Sequence, residues 1–216
     1  MTHAKVGIYF FLNYIFLNKF IFLGDAEEFL NIILQKAPQD IASLFDINNK
    51  SFITDIPIND FNVPDFDSVV LTHLCSNGYE INSELPKSVI LGCAREKIQT
   101  RSSTKENAVS YKDEMAIKLH KFISINDKKY ELTGIARHIS HESKTSEGHY
   151  IAYCKSFNEE FFYEFNDAVV NKMTFEEVIK KNCTECKIII YTQKDNACTS
   201  STTQEPLAQS QEGNLI

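Results

Sequence analysis

The stretch TSEGHYIAYCKSFNEEFFYEFND, residues 145–167, contains two aromatic-rich runs on either side of a short polar patch. Such runs around a polar patch predict a β-hairpin with strands at 149–155 and 161–167. If the hairpin is nearly symmetric about Phe157 and Asn158, His149 lies directly across from Asn166. Directly opposed residues have Cβ atoms about 4.5–5.5 Å apart. The pattern therefore predicts contact between an imidazole and a carboxamide.

Strand alternation divides the predicted hairpin into two faces. One face is expected to carry His149, Ile151, Tyr153, Phe162, Glu164 and Asn166. The other face is expected to carry Tyr150, Ala152, Cys154, Phe161, Tyr163 and Phe165. The thiol of Cys154 is therefore predicted to point away from the imidazole of His149.

A histidine beside a carboxamide suits cysteine-based nucleophilic catalysis. The imidazole turns a thiol into a thiolate, and a third group fixes the tautomer of the imidazole. His149 is the candidate base and Asn166 is the first candidate for the orienting group. Asp167 is the second candidate, because ideal strand geometry points it to the other face. The alternative is that His149 is a structural histidine of the strand.

Segments outside the hairpin place helices early and antiparallel strands late, which indicates an α+β fold. Helical spacing of apolar residues and the capping residue Asp25 predict a helix over 24–38. The polar segment 101–114 predicts a loop, and Thr174 with Glu177 suggests a capping box. The other predicted elements are a helix near 68–74, strands at 85–94, 116–125, 129–139 and 187–193, and a helix at 174–181.

Composition limits the class of protein. The chain has 216 residues, which favours one domain with tails. A formal net charge of -7 argues against a nucleic-acid partner. The 6 cysteines are scattered, mostly inside apolar runs, and do not resemble a disulfide framework. They indicate reduced thiols in a cytoplasmic or nuclear protein.

The two ends of the chain differ from its middle. Residues 6–23 are almost entirely apolar, and three interpretations stay open: a membrane anchor, a buried helix, or a segment foreign to the ancestral domain. Residues 196–216 are rich in Ser, Thr and Gln and are predicted to be disordered. The predicted divisions are therefore an apolar segment at 1–23, a domain at 24–195 and a polar tail at 196–216.

The order of motifs resembles the ubiquitin-specific protease family, which comprises papain-like cysteine peptidases that remove ubiquitin. DAEEFL resembles the family's Asp-Ala-x-Glu-Phe-Leu helix, and LPKSVIL resembles its Leu-Pro strand. The resemblance covers about residues 24–193. The motifs that carry it are DAEEFL (25–30), LPKSVIL (85–91), YELTGIARH (130–138), SEGHYIAYC (146–154), FFYEFNDAVV (161–170) and IIIYT (188–192).

This resemblance implies a papain-like α+β domain with N-terminal helices packed on an antiparallel palm sheet and with reduced fingers. It implies thiol-dependent hydrolysis of ubiquitin conjugates, with ubiquitin or ubiquitinated proteins as partners. No cofactor is expected, and no metal is expected because the family's zinc-binding cysteine pairs are missing from this sequence. Matched position by position, the resemblance implies that His149 is the general base and that Asn166 orients it. Asp167 is the residue next to Asn166. The residues implied to contact the ubiquitin tail are Asp25, which would lie near its arginines, Gly148 and Tyr150.

The sequence lacks the motif that carries the family's nucleophilic cysteine. The family carries a Gly-Asn-x-Cys box before the helix that here starts near Asp25, and the residues before Asp25 include no cysteine and no such box. The box's oxyanion-hole asparagine is missing with it. Between 39 and 85 only Cys75 occurs, so the zinc-binding cysteine pairs of the fingers are absent as well.

Other cysteines are poor replacements for the missing nucleophile. Cys93 lies in an apolar run typical of a core. Cys183 and Cys186 form a CxxC half-site for which Cys198 is the nearest further zinc ligand, whereas zinc needs four ligands. The sequence therefore predicts a family member that does not hydrolyse ubiquitin conjugates by itself. A non-catalytic ubiquitin-binding or scaffold module and an incomplete gene model of an active deubiquitinase stay open as alternatives.

Overall fold

The structure, a computed structural model, describes residues 53–80, 84–100, 108–140, 148–156 and 159–194, with isolated positions between 30 and 45. The apolar segment 6–23, the position of Asp25 and the tail 196–216 lie outside the described residues. Within the described ranges, no helix has the length and apolarity that a membrane crossing requires.

Ten strands, two α-helices and one 3-10 helix make up the described elements. The strands are β1 (Ile53–Pro57), β2 (Ser88–Ala94), β3 (Glu96–Thr100), β4 (Ala108–Lys112), β5 (Phe122–Ile125), β6 (Lys128–Ser140), β7 (Gly148–Lys155), β8 (Phe162–Asn166), β9 (Val169–Met173) and β10 (Cys186–Gln193). The helices are the 3-10 helix Ile58–Asn62, α1 (Phe66–Ser76) and α2 (Phe175–Asn182).

One mixed sheet organises the fold, in the order β1-β2-β10-β6-β7-β8-β9. Strand β1 runs parallel to β2, and the other pairings of this sheet are antiparallel. The long strand β6 pairs with β10 along one edge, and with β5 and then β7 along the other. Strands β3 and β4 form a separate two-stranded sheet. The predicted α+β class, with an antiparallel palm-like sheet, is confirmed.

Apolar side chains cover both faces of the sheet, which explains why β2 is buried along almost its whole length and why the middle of β10 is buried. The larger cluster lies on the face covered by α1 and α2 and includes Leu74, Tyr153 and Val178. A smaller cluster on the opposite face packs Leu30 and Leu34 against inner strands. Leu30 and Leu34 are helical, as predicted for the helix over 24–38.

Local signals predicted α2 well. Thr174 caps this helix, and its side chain accepts a hydrogen bond from the backbone N–H of Glu177 while the Glu177 carboxylate accepts one from the Thr174 backbone N–H. The predicted loop at 101–114 is wrong in part, because residues 108–112 form β4 and pair with β3. This pairing joins β4 to a strand that lies before the polar segment, so the composition of 101–114 by itself does not predict it.

Candidate active site

The imidazole of His149 and the carboxamide of Asn166 are in direct contact. Nε2 of His149 lies 2.7 Å from Oδ1 of Asn166, and both side chains are half-buried. A carboxamide oxygen only accepts hydrogen bonds, so Nε2 carries the hydrogen and donates it. The lone pair of the neutral ring is then on Nδ1. This arrangement leaves Nδ1 available as a base.

The contact forms in a different register from the predicted one. Tyr153 pairs with Glu164, so the same register would place Ile151, and not His149, across from Asn166. The Ser156 backbone N–H donates to the Phe161 carbonyl over 2.9 Å and closes a loop centred one residue later than expected. The predicted direct opposition is therefore wrong.

A shift of two residues nevertheless preserves the faces of a strand, because side chains alternate with a period of two. His149 therefore reaches Asn166 as a diagonal neighbour on the predicted face. Diagonal neighbours lie within reach of long side chains. Tyr153 and Glu164 share that face and hydrogen-bond each other, as the face assignment requires.

Asp167 has a conformational role at the end of the hairpin. It lies in the exposed two-residue connection between β8 and β9, where Asn166 pairs with Val169. Its φ of 53° is in the left-handed region, which Asp and Asn tolerate better than most residues. The turn thus accounts for an aspartate here, and Asn166 is the side chain that meets the imidazole.

Gly148 begins β7 beside a tightly packed pair of rings on the face opposite His149. A Cβ at this position would lie 2.3 Å from the Ile139 carbonyl oxygen and 2.5 Å from Nε2 of His138. The ring of His138 stacks on Tyr150 with ring centroids 4.5 Å apart. The chain's own packing therefore requires glycine at 148 and holds the ring of Tyr150 in place.

A buried carboxylate, Glu164, lies on the same face as His149. Its oxygens accept hydrogen bonds from the Tyr153 hydroxyl at 2.7 Å, from Nζ of Lys181 at 2.9 Å and from Nδ2 of Asn171 at 3.2 Å. Burial by itself raises the pKa of Glu164, but the bonds from Lys181, Tyr153 and Asn171 together lower it below its ordinary value. Glu164 is therefore ionised at neutral pH.

The network extends to the central strand. Burial, and then the hydrogen bond to Glu164, raise the pKa of Tyr153 to about 12, so the phenol stays protonated and donates. The positive charge of Arg137 on β6 opposes part of this rise in the pKa of Tyr153, and Arg137 donates through Nε to Glu185 over 2.7 Å. Positive and negative side chains thus alternate in this network, from Lys181 and Glu164 to Arg137 and Glu185. One signal in the sequence pointed to this network, a glutamate at an apolar-face position between Phe162 and Asn166.

Comparison with known proteins assigns the chain to a family. The family model described as ubiquitin carboxyl-terminal hydrolase matches residues 23–195. The chain belongs to this family. Its resemblance to ubiquitin-specific proteases, predicted from the motifs around His149, is thereby confirmed.

Two kinds of relative are similar to this member of the ubiquitin carboxyl-terminal hydrolase family. Ubiquitin carboxyl-terminal hydrolase 8 of Saccharomyces cerevisiae is 41% identical over 63 residues, which is 29% of this chain and 12% of that protein. The chain thus matches only a small part of the length of this relative.

Structures of the SAGA DUB module Ubp8/Sgf11/Sus1/Sgf73 are also similar. The one bound to ubiquitin aldehyde is 25% identical with a TM-score of 0.42, and the match covers 51% of this chain and 25% of that one. The one bound to monoubiquitin is 25% identical with a TM-score of 0.41, and the match covers 51% and 24%.

Three of the described cysteines of this family member are buried in the fold. Cys154 is buried on the face opposite His149, and burial raises the pKa of its thiol to about 12. Cys93 and Cys186 are fully buried in the larger core cluster, with their sulfur atoms 3.9 Å apart. These positions agree with the predicted orientation of Cys154 and with a core role for Cys93.

The CxxC pair is divided between two environments. Cys183 is half-exposed at the C-terminal end of α2, whereas Cys186 is buried in β10. Among the residues that the structure describes, no group of three or more His, Cys, Asp or Glu side chains could hold a metal ion. Cys198 lies outside them.

Arg95 is a buried residue whose role the sequence did not reveal. Its guanidinium is 2% exposed and donates to the carbonyls of Asp113 and Met115, both at 2.9 Å. It also donates to Cys183 at 2.9 Å and to Cys186 at 2.7 Å. One side chain thereby ties the end of β2 to the segment after β4 and to the turn between α2 and β10.

Proposed function

We propose that this chain recognises the C-terminal tail of ubiquitin and presents His149 as the general base of a thiol-dependent deubiquitinase site. The observation that carries the proposal is the 2.7 Å hydrogen bond from His149 to Asn166 in a chain of this family. Asn166 holds the ring so that Nδ1 faces the reaction, and Asp167 shapes the turn that follows.

In such a site Nδ1 accepts the proton of a cysteine thiol, and the thiolate attacks the carbonyl carbon at the end of ubiquitin. The imidazolium then returns the proton to the leaving amine, and water hydrolyses the thioester. These steps need a thiol within hydrogen-bond reach of His149.

Three residues are proposed to receive the tail. Gly148 is exposed, so its backbone at the start of β7 is open to a substrate strand. Tyr150, two residues further along β7, has its ring fixed by the stack on His138. Asp25, which lies outside the described residues, would add a charge-assisted contact to the arginines of the tail.

The three buried thiols argue against turnover by this 216-residue polypeptide itself. Cys154 is on the wrong face, and Cys93 and Cys186 are enclosed in the core. We therefore expect the polypeptide alone to bind ubiquitin and to leave ubiquitin conjugates intact. The intact pair of His149 and Asn166 also fits a second candidate, an active deubiquitinase in which an additional segment supplies the cysteine.

Two measurements test the proposed function. Titration with fluorescently labelled ubiquitin is expected to show binding that is lost when ubiquitin lacks its C-terminal tail; an absence of binding at high micromolar concentration would reject tail recognition. A fluorogenic ubiquitin substrate is expected to stay intact. Turnover that disappears in His149→Ala would reject the inactive state. An in-frame Gly-Asn-x-Cys box in transcripts upstream of Met1 would favour the second candidate.

A further inference from the structure

We infer that Glu164 is a positioning residue, which acts through β8 to hold the carboxamide of Asn166 against the imidazole of His149. The inference rests on the proposed function, in which that hydrogen bond orients the base. Glu164 itself touches neither the imidazole nor the place of a substrate.

The first step is the ladder between β7 and β8. Its paired residues run from Lys155 with Phe162 to Ala152 with Phe165. Both His149 and Asn166 therefore lie beyond the last pair of this ladder. His149 is held by β6, where it pairs with Ile139. The backbone of Asn166 pairs with Val169 of β9 and not with β7, so at the site the register between β7 and β8 depends on the neighbouring pairs and on any side-chain interaction between the two strands.

Glu164 supplies that interaction. It pairs across the sheet with Tyr153 on β7 and with Asn171 on β9, and its carboxylate accepts a hydrogen bond from each. Lys181 adds a third bond from the last turn of α2. One carboxylate, only 5% exposed, thus links β8 to both neighbouring strands and to the helix.

The geometry carries this constraint to the site. Asn166 is two residues beyond Glu164 on the same face, about 6.8 Å along the strand. A slip of β8 by one residue would turn Asn166 to the other face, and a slip by two would move it a full step away from His149. The cross-links of Glu164 oppose both movements, because each would separate its carboxylate from the donors.

The charge of Glu164 is part of its role. A carboxylate has acceptor sites on both oxygens, so it can serve a hydroxyl, an ammonium and an amide at once. A glutamine has the same shape but would direct an N–H₂ group either at Asn171 or at Lys181 and Tyr153, because these donors divide between the two oxygens of Glu164. Glu164→Gln therefore breaks the network while it keeps the volume of the side chain.

A purely structural glutamate would stabilise the fold without affecting the hydrogen bond between His149 and Asn166. The test therefore measures the ring N–H of His149. Protein labelled with 15N-histidine would be studied by NMR, with the ring N–H resonance of His149 assigned from its loss in His149→Ala. In Glu164→Gln we expect the Nε2–H to exchange with water about tenfold faster than in the parent chain. The matched control, Glu160→Gln, removes an exposed carboxylate of the same hairpin that pairs with Lys121, and it should leave the exchange rate unchanged.

A folded Glu164→Gln protein whose His149 N–H exchanges at the parental rate would overturn the inference. If Glu164→Gln does not fold, Tyr153→Phe decides, because it removes one donor and keeps the ring; unchanged exchange in that variant also overturns it. Binding of ubiquitin by the parent chain, measured on the same sample, is independent of this result. A failure of the proposed function and a failure of this inference are therefore distinguishable.

Discussion

The imidazole of His138 occupies the space into which a side chain at residue 148 would project. Its Nε2 is 2.5 Å from the ideal Cβ position of Gly148, and the Ile139 carbonyl oxygen is 2.3 Å from the same point. Neither neighbour can yield cheaply, since one is backbone and the other is a buried ring stacked on Tyr150. The strand that carries His149 therefore starts at a position where packing alone demands glycine.

Gly148→Ala is expected to destabilise the protein by about 1–3 kcal/mol, the usual cost of overpacking. Urea unfolding measures the change. Gly134→Ala is the matched control, because its Cβ would approach only the side chain of Ile190, at 3.3 Å. We expect a distinctly smaller loss there, and equal losses in the two variants would contradict this account.

Stability is expected to depend on pH through Glu164. Its folded-state pKa lies below the unfolded value of about 4.3. A lowered pKa contributes stability that is present above the unfolded pKa and is lost as pH falls through the folded pKa. The difference in unfolding free energy between the parent chain and Glu164→Gln should be largest near pH 7 and should shrink below about pH 4.3. A difference that grows in acid would contradict the lowered pKa.

Chemical labelling should separate the described cysteines by burial. Iodoacetamide reacts with thiolates, and Cys75 and Cys183 are half-exposed. We expect mass spectrometry of the native protein to find label on these two. Label should reach Cys93, Cys154 and Cys186 only after unfolding, because all three are buried. Rapid native labelling of Cys154 would show that its thiol is within reach of a site.

Arg95→Lys is expected to cost more than about 3 kcal/mol, even though it preserves the charge. A single ammonium cannot reach the four carbonyls that the guanidinium serves, and each buried acceptor left without a donor costs about 1–3 kcal/mol. Thermal unfolding measures the loss, with the exposed Lys118→Met as control. A loss as small as that of the control would show that water replaces the missing donors.

Short-range patterns were sufficient for several elements. The alternation in 149–155 and 161–167 predicted both strands and their faces, because a period of two is a property of each strand alone. The Thr174 capping box predicted the start of α2, because both of its hydrogen bonds join residues three apart. The motifs around His149 and Asn166 predicted the family.

The tertiary structure alone decided how these pieces meet. The register between β7 and β8 differs from the predicted one by two residues, so that the residue in line with Asn166 is Ile151 and not His149. Strand periodicity does not determine this register. Arg95 binds carbonyls up to 91 residues away along the chain, so it looks like an ordinary charged residue in its local sequence. The sequence shows a glycine at 148 but not the reason for it. The reason is the ring of His138 on the neighbouring strand β6, which fills the space of a side chain at 148. Contacts between distant segments depend on the complete sheet, and no local pattern contains them.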